Sequence, residues 1–194
     1  MTGRTGGAEG NERLTAMTGT VLLVLLAAEG FTILSLGQML TLHFFLGMLL
    51  LGPVALKAGS TIYRFTRYYA GSTRYRRKGP PQLMMRLIGP VIIASTALMF
   101  GSGIALAVTG PAGRQPWLFL HKASFVIWFM VMTTHVLVYL PRLPRLIAAE
   151  FPPAVLGGRG MRLSLLAASL FAGLVIAVLT VHLAGPWHIT GFQK

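Results

Sequence analysis

Histidine is the residue type whose positions in this sequence most clearly suggest chemistry. His121 and His135 lie fourteen residues apart within one long apolar segment. If that segment is a helix, about 100° per residue leaves the two side chains only about 40° apart, and the rise separates them by about 21 Å. Neutral imidazole nitrogens are good ligands for iron. The spacing therefore makes both residues candidate iron ligands on one side of a helix, one near each of its ends.

A third histidine matches the first of this pair in depth. His43 and His121 each lie a few residues inside an apolar segment, counted from the same side of the predicted bundle. Two haems stacked across a bilayer need ligands separated as His121 and His135 are, and histidine is a common axial ligand of haem iron. Gly47 follows His43 by one helical turn, and its missing side chain lets a flat ring approach. We predict that His43 and His121 hold one haem b.

The partner of His135 is less well defined by the sequence. Lys57 has the matching depth, fourteen residues after His43, but a lysine near a helix end is expected to extend to the headgroups. Met17 and Met161 are the other options, because methionine can be an axial ligand. A second haem with an unusual partner, a five-coordinate haem and no second haem all stay open.

Other polar and aromatic residues of the predicted spans have two interpretations each. Trp128 lies between His121 and His135 and is a candidate haem contact, although ordinary core packing accounts for it equally well. His182 could replace a ligand of the outer iron, border a quinone site or lie at an interface. Any single histidine can also be a hydrogen-bonded core residue, and His188 is expected to be solvated.

Glu29 is the one acidic residue inside a predicted span. A carboxyl group within the membrane is by default a candidate for function. We expect Glu29 to take part in proton movement at an outer quinone site; the alternative is a protonated side chain bonded to a neighbouring helix.

The elements that position these residues follow from composition. The chain of 194 residues is 54% hydrophobic and 11% charged, whereas soluble domains are typically about 25% charged. Runs of about 20 apolar residues are long enough to cross a bilayer, and backbone groups in lipid require helices. The absence of cysteine excludes thiolate-ligated clusters. We predict an all-α integral membrane bundle with five spans, at residues 15–36, 39–60, 83–108, 117–140 and 162–184.

Charge distribution predicts the orientation of this bundle. Lysine and arginine concentrate in the loops at 61–82 and 141–161, and such loops face the cytoplasm. The N-terminus is therefore predicted to be cytoplasmic and the C-terminus outside, with tails at 1–14 and 185–194 flanking a bundle domain at 15–184. The net charge of +13 is explained by topology and membrane lipid, not by nucleic acid. The segment YRFTRYY at 63–69 is typical of an interfacial helix, and Pro53 predicts a kink.

Four sequence elements together resemble a known family. They are LTLHFFLG at 40–47, the basic loop with YRFTRYY, GSG at 101–103 and HKASFVIWFMVMTTH at 121–135. This combination, which covers about residues 15–145, is similar to the bacterial b-type cytochrome subunits of formate dehydrogenase and nickel hydrogenase.

The resemblance implies a subunit in the bacterial cytoplasmic membrane. It implies haem b held by His43, His121 and His135, and electrons passing between an extracytoplasmic redox subunit, of the molybdenum or nickel enzyme type, and the quinone pool. Members with two haems commonly carry a fourth histidine on the first helix, and this chain has none there. The chain is then part of an oxidoreductase complex, not a stand-alone enzyme. The alternatives are a non-haem multi-pass protein, such as a transporter accessory or assembly subunit, and a ferric-reductase-like haem protein.

Overall fold

The computed structural model describes residues 7–77, 79, 83–142, 144, 148 and 158–189. Within this part of the chain the structure is helical, with no strand. The predicted all-α class is therefore confirmed. The long helices are α1 (Gly7–Ile33), α2 (Leu36–Tyr69), α4 (Leu83–Thr109), α5 (Trp117–Tyr139) and α6 (Arg159–Thr180); the short ones are α3 (Thr73–Arg76) and α7 (Gly185–Ile189), with 3₁₀ turns at Leu140–Arg142 and Val181–Ala184.

Five helices are long and apolar enough to cross a membrane, as the sequence predicts. Much of their outer surface consists of exposed aliphatic and aromatic side chains. Such a surface suits hydrocarbon, because an apolar side chain loses nothing by facing a lipid tail. By length and composition the chain is a multi-pass membrane protein. Strongly exposed examples on different helices are Val24, Val108, Phe119, Leu137 and Phe171.

The helices form two packed units. In the first, α2 packs along both α1 and α6; in the second, α4 and α5 form a hairpin. Contact between the units is sparse, since α4 meets α2 at few positions within the described residues. Met48, Ala107 and Ala177 form a small apolar cluster that joins α2, α4 and α6.

The contact between α2 and α6 depends on two glycines. A Cβ atom on Gly52 would collide with the backbone oxygen of Ser169, and a Cβ atom on Gly173 would collide with that of Leu49. Small residues allow helix backbones to approach closely in membranes, where packing replaces the hydrophobic driving force. This crossing therefore fixes α2 against α6 at mid-helix.

The two ends of the bundle differ in character. We call the end that carries the turns at 34–35 and 110–116 the turn end, and the opposite end, where α1, α4 and α6 begin, the basic end. α2 and α5 both run from the turn end to the basic end. The segment YRFTRYY continues α2 without a break, which confirms the predicted helical extension. The backbone of α2 departs from helical torsions at Met39, not at Pro53.

Residues 7–14, which belong to the predicted N-terminal tail, form the first turns of α1. Near them lies Tyr75 of α3, whose ring contacts Tyr63 edge to face. Burial of Tyr75, reinforced by Tyr63, raises the pKa of its hydroxyl, so the group stays protonated at neutral pH. The basic loop is thus folded back on the start of α1. The predicted loop at 141–161 and the tail at 185–194 lie partly outside the described residues.

Candidate functional site

His43 lies at the turn end, on the first turns of α2 after the tight connection from α1. Its Nδ1 atom is 3.0 Å from Oε1 of Glu29 and 2.9 Å from Oγ1 of Thr32. Thr32 uses its own hydroxyl proton on the backbone oxygen of Glu29, so its oxygen accepts from the ring. Both partners lie on α1 and are brought to His43 because the turn at 34–35 folds α2 back along α1.

His121 occupies the equivalent place in the second hairpin. Its Nδ1 atom is 2.9 Å from the backbone oxygen of Met99 and 3.2 Å from Oγ of Ser102. The serine hydroxyl donates to the backbone oxygen of Leu98. Since a carbonyl oxygen can only accept, Nδ1 of His121 carries the proton.

These contacts define the same ring state in both histidines. Nδ1 donates, and Nε2 has no hydrogen-bond partner anywhere in the part of the chain that the structure describes. A histidine that binds a metal typically donates its other ring N–H to a carboxylate or a carbonyl, which fixes the tautomer and the ring orientation. His43 has the carboxylate and His121 has the carbonyl.

The two histidines come from different packed units, which meet through sparse contacts between α2 and α4. Their rings are close enough for electrostatic interaction. The described residues contain no cluster of three or more metal-ligating side chains, but haem iron needs only two axial ligands from the protein, because the macrocycle supplies the other four. The donor set of two unprotonated imidazole nitrogens therefore fits haem b. We call His43 and His121 the turn-end pair.

Two glycines lie beside this pair. A Cβ atom at Gly103 would lie 3.2 Å from Cε1 of His121, so α4 leaves just enough room for the imidazole. A Cβ atom at Gly47 would lie 3.5 Å from Oε1 of Glu29. The space at Gly47, predicted to accommodate a flat ring, thus adjoins the carboxyl group that bonds His43.

Trp128 lies midway along α5 and is buried. Its Nε1 atom donates to Oγ1 of Thr96 on α4 at 3.0 Å, and its ring stacks on Phe125 with centroids 6.3 Å apart. Trp128 therefore fixes α5 against α4 between the two predicted iron sites.

The basic end presents a different pair. Lys57, expected at the headgroups, turns toward α1, where its Nζ donates to the backbone oxygen of Thr15 at 2.5 Å. Thr15 is where the first span is predicted to begin, so the extension of Lys57 toward the headgroups stays a prediction. A Cβ atom at Gly19 would lie 2.8 Å from Nζ, so the ammonium occupies the space that this glycine leaves. The Nζ atom of Lys57 is thus enclosed between α1 and α2.

His135 lies near Lys57. The two side chains are close enough for electrostatic interaction, and the His135 ring packs on Tyr139 with centroids 4.8 Å apart. No hydrogen bond to either ring nitrogen is formed within the described residues. We call Lys57 and His135 the basic-end pair.

The remaining candidates make no hydrogen bond to either pair within the described residues. His182 is exposed in the 3₁₀ turn Val181–Ala184, and His188 is exposed with its Nε2 atom 2.8 Å from Oγ1 of Thr41. Met161 is 66% exposed at the start of α6, so its sulfur does not point into the bundle. Met17 is half-buried on α1.

Sequence reasoning missed the residues that hold the two turn-end rings. Thr32, Met99 and Ser102 have no motif of their own. A usable signal did exist, because positions equidistant from a tight turn face each other in a helical hairpin. Gly103 and His121 lie nine residues on either side of residue 112.

Comparison with known proteins adds no further constraint: no family model, no curated protein and no solved structure matches the chain.

Proposed function

We propose that this protein is a haem-b electron-transfer subunit of the bacterial cytoplasmic membrane. It would pass electrons between an extracytoplasmic redox subunit and the quinone pool. The turn-end pair carries this proposal: two imidazoles from separate helix units, each with Nδ1 bonded and Nε2 free.

The residues around the pair would hold the cofactor rather than react. His43 and His121 would be the axial ligands, and haem supplies one-electron chemistry when bound. Glu29, Thr32 and the Met99 carbonyl orient the two rings, so that both Nε2 lone pairs point away from the helices that carry their Nδ1 partners.

The proposal includes the orientation of the bundle in the membrane. Arginines gather at the basic end, including Arg64, Arg67, Arg74, Arg76 and Arg86, and positively charged loops stay in the cytoplasm. The turn end then faces the extracytoplasmic side, where the turn-end pair would meet a redox subunit.

Glu29 has a more definite position than its sequence predicted. Its Oε1 atom bonds His43, while Oε2 is buried and has no hydrogen-bond partner in the described chain. We assign it first to the orientation of His43. Its participation in proton movement at a quinone site stays a prediction.

The first test is the reduced-minus-oxidised absorption spectrum of the purified full chain in detergent. We expect the bands of haem b. His43→Ala and His121→Ala should each remove the haem held by the turn-end pair. The pyridine haemochrome assay should then show a loss of about one haem per chain. The exposed His182 provides the matched control, and His182→Ala should leave the spectrum unchanged.

Absence of haem bands would contradict the proposal and favour a non-haem membrane protein whose histidines are core residues. Retention of the haem in both alanine variants would contradict the ligand pair. The electron-transfer part is tested separately, since quinol added to the oxidised protein should reduce the haem. A haem that responds to dithionite but not to quinol would refute the quinone connection.

A further inference from the structure

The same spacing of fourteen residues relates the two pairs to each other. Lys57 follows His43 by fourteen residues on α2, and His135 follows His121 by fourteen residues on α5. Because α2 and α5 run in the same direction, both steps move about 21 Å toward the basic end. Lys57 and His135 are therefore expected at one depth, as His43 and His121 are, and an electrostatic interaction links the two side chains.

The side chain of Lys57 is positioned inside the bundle, as a ligand would be. It is half-buried, its Nζ is bonded to Thr15, and Gly19 provides the space. No carboxylate pairs with it among the described residues. An uncompensated ammonium ion is costly at the edge of a bilayer, and this cost favours a bound form in which the nitrogen carries no full charge.

His135 is equally short of partners. Its ring is fixed by the contact with Tyr139, and neither ring nitrogen is occupied by a hydrogen bond within the described chain. A neutral amine and a neutral imidazole are both nitrogen donors with one free lone pair. The pair thus offers two axial ligands at one depth, and α1 supplies no histidine for this purpose.

We propose that Lys57 and His135 are the axial ligands of a second haem b at the basic end, which is an amine–imidazole site and not a bis-imidazole site. This inference rests on the proposed function. Coordination uses the amine form of Lys57, and the released proton passes to water at the basic end. A coordinated amine keeps two N–H groups, so the bond to Thr15 can persist.

The amine ligand makes the second haem distinguishable by spectroscopy. Haem content per chain and the near-infrared magnetic circular dichroism of the oxidised protein should show two haems with two different low-spin signatures. One signature is expected for two imidazoles and the other for an amine with an imidazole.

Three variants of the full chain decide the assignment. Lys57→Arg retains the positive charge and a donor for Thr15 but has no available lone pair. It should lower the content from two haems per chain to one and remove only the amine–imidazole signature. Lys57→His should restore two haems, both with the bis-imidazole signature. Lys122, exposed on α5, is the control, and Lys122→Arg should change neither signal.

The outcomes separate this inference from the proposed function. No haem at all refutes both. One haem per chain that requires His43 and His121 refutes only the second site. Two haems with both signatures unchanged in Lys57→Arg also overturn the assignment of Lys57. If Lys57→Arg loses both haems, Lys57→His decides: two bis-imidazole haems support the assignment, and any other result overturns it.

Discussion

The turn-end pair and the basic-end pair differ in how firmly their donor atoms are held. At the turn end, each imidazole bonds two acceptors through Nδ1, as His43 does with Glu29 and Thr32. At the basic end, Lys57 has a flexible side chain bonded to one carbonyl, and His135 has only a ring contact. The first pair is preorganised for a ligand, whereas the second must adjust its atoms to receive one.

This difference has a physical cause in the positions of the turns. A short connection brings neighbouring helices together where it lies, so α1 and α4 can supply acceptors to α2 and α5 at the turn end. At the basic end, residues 70–82 separate α2 from α4 and residues 140–158 separate α5 from α6, and connections of this length do not by themselves hold neighbouring helices together. We therefore expect substitutions beside the histidine rings to abolish haem binding at the turn end. We expect haem binding at the basic end to tolerate substitutions better.

The largest effect is expected when the support of His121 is crowded. Gly103→Val places methyl groups where a single Cβ atom already comes within 3.2 Å of the ring, so the imidazole must move. Most of the turn-end haem should be lost, with the basic-end haem retained, as measured by haem content and magnetic circular dichroism. Gly101→Val is the matched control, because nothing lies within 4 Å of a Cβ atom there.

Equal loss at both ends in Gly103→Val would break the comparison, since it would mean that the substitution destabilises the whole hairpin. A wild-type spectrum in that variant would show that His121 is not held as described.

A smaller effect is expected from the carboxyl group at His43. Glu29→Gln keeps an acceptor oxygen but can carry no negative charge beside the ring. Loss of such a supporting group typically costs about 10- to 100-fold in metal affinity. If the ferric form is weakened about tenfold more than the ferrous form, the midpoint potential of the turn-end haem rises by about 59 mV. Potentiometric titration measures this rise.

The basic-end haem supplies the internal reference for that titration. Its potential should stay constant in Glu29→Gln. A shift of both potentials by the same amount would argue that Glu29 acts through the general field of the bundle and not through His43.

The smallest effect is expected at Gly19. A Cβ atom at this position would lie 2.8 Å from Nζ of Lys57, but Nζ is the end of a flexible chain and can move away. Gly19→Ala should weaken binding of the basic-end haem by about 1 kcal/mol, which is a roughly fivefold loss of affinity. The haem content that remains after dilution measures this loss. The turn-end signal should not change. Gly30→Ala on the same helix, where a Cβ atom meets nothing within 4 Å, should leave both signals intact.

The fold was largely predictable because lipid restricts the choices. Five apolar runs of sufficient length allow one architecture, and the structure has five such helices. The beginning of α1 was not predicted, since residues 7–14 are polar and carry no apolar periodicity. They are helical because the basic loop, through Tyr75, packs against them.

The candidate site was predictable only in its ring positions. Helical geometry places His43 and His121 at one depth, and no simple pattern identifies the carbonyl of Met99 or the hydroxyl of Thr32 as their partners. Backbone acceptors have no sequence signature at all. The direction of the Lys57 side chain was unpredictable for a related reason: it depends on the space above Gly19, which is a property of two packed helices.

The glycine contact between α2 and α6 is a point about which α2 can tilt. Gly52, at this contact, lies nine residues after His43 and five before Lys57. Close backbone contact at one point allows tilting more readily than sliding. A small tilt moves the two ends of α2 in opposite directions, and His43 is further from the contact than Lys57. A partner that presses on the turn end would therefore displace the backbone at His43 further than the backbone at Lys57.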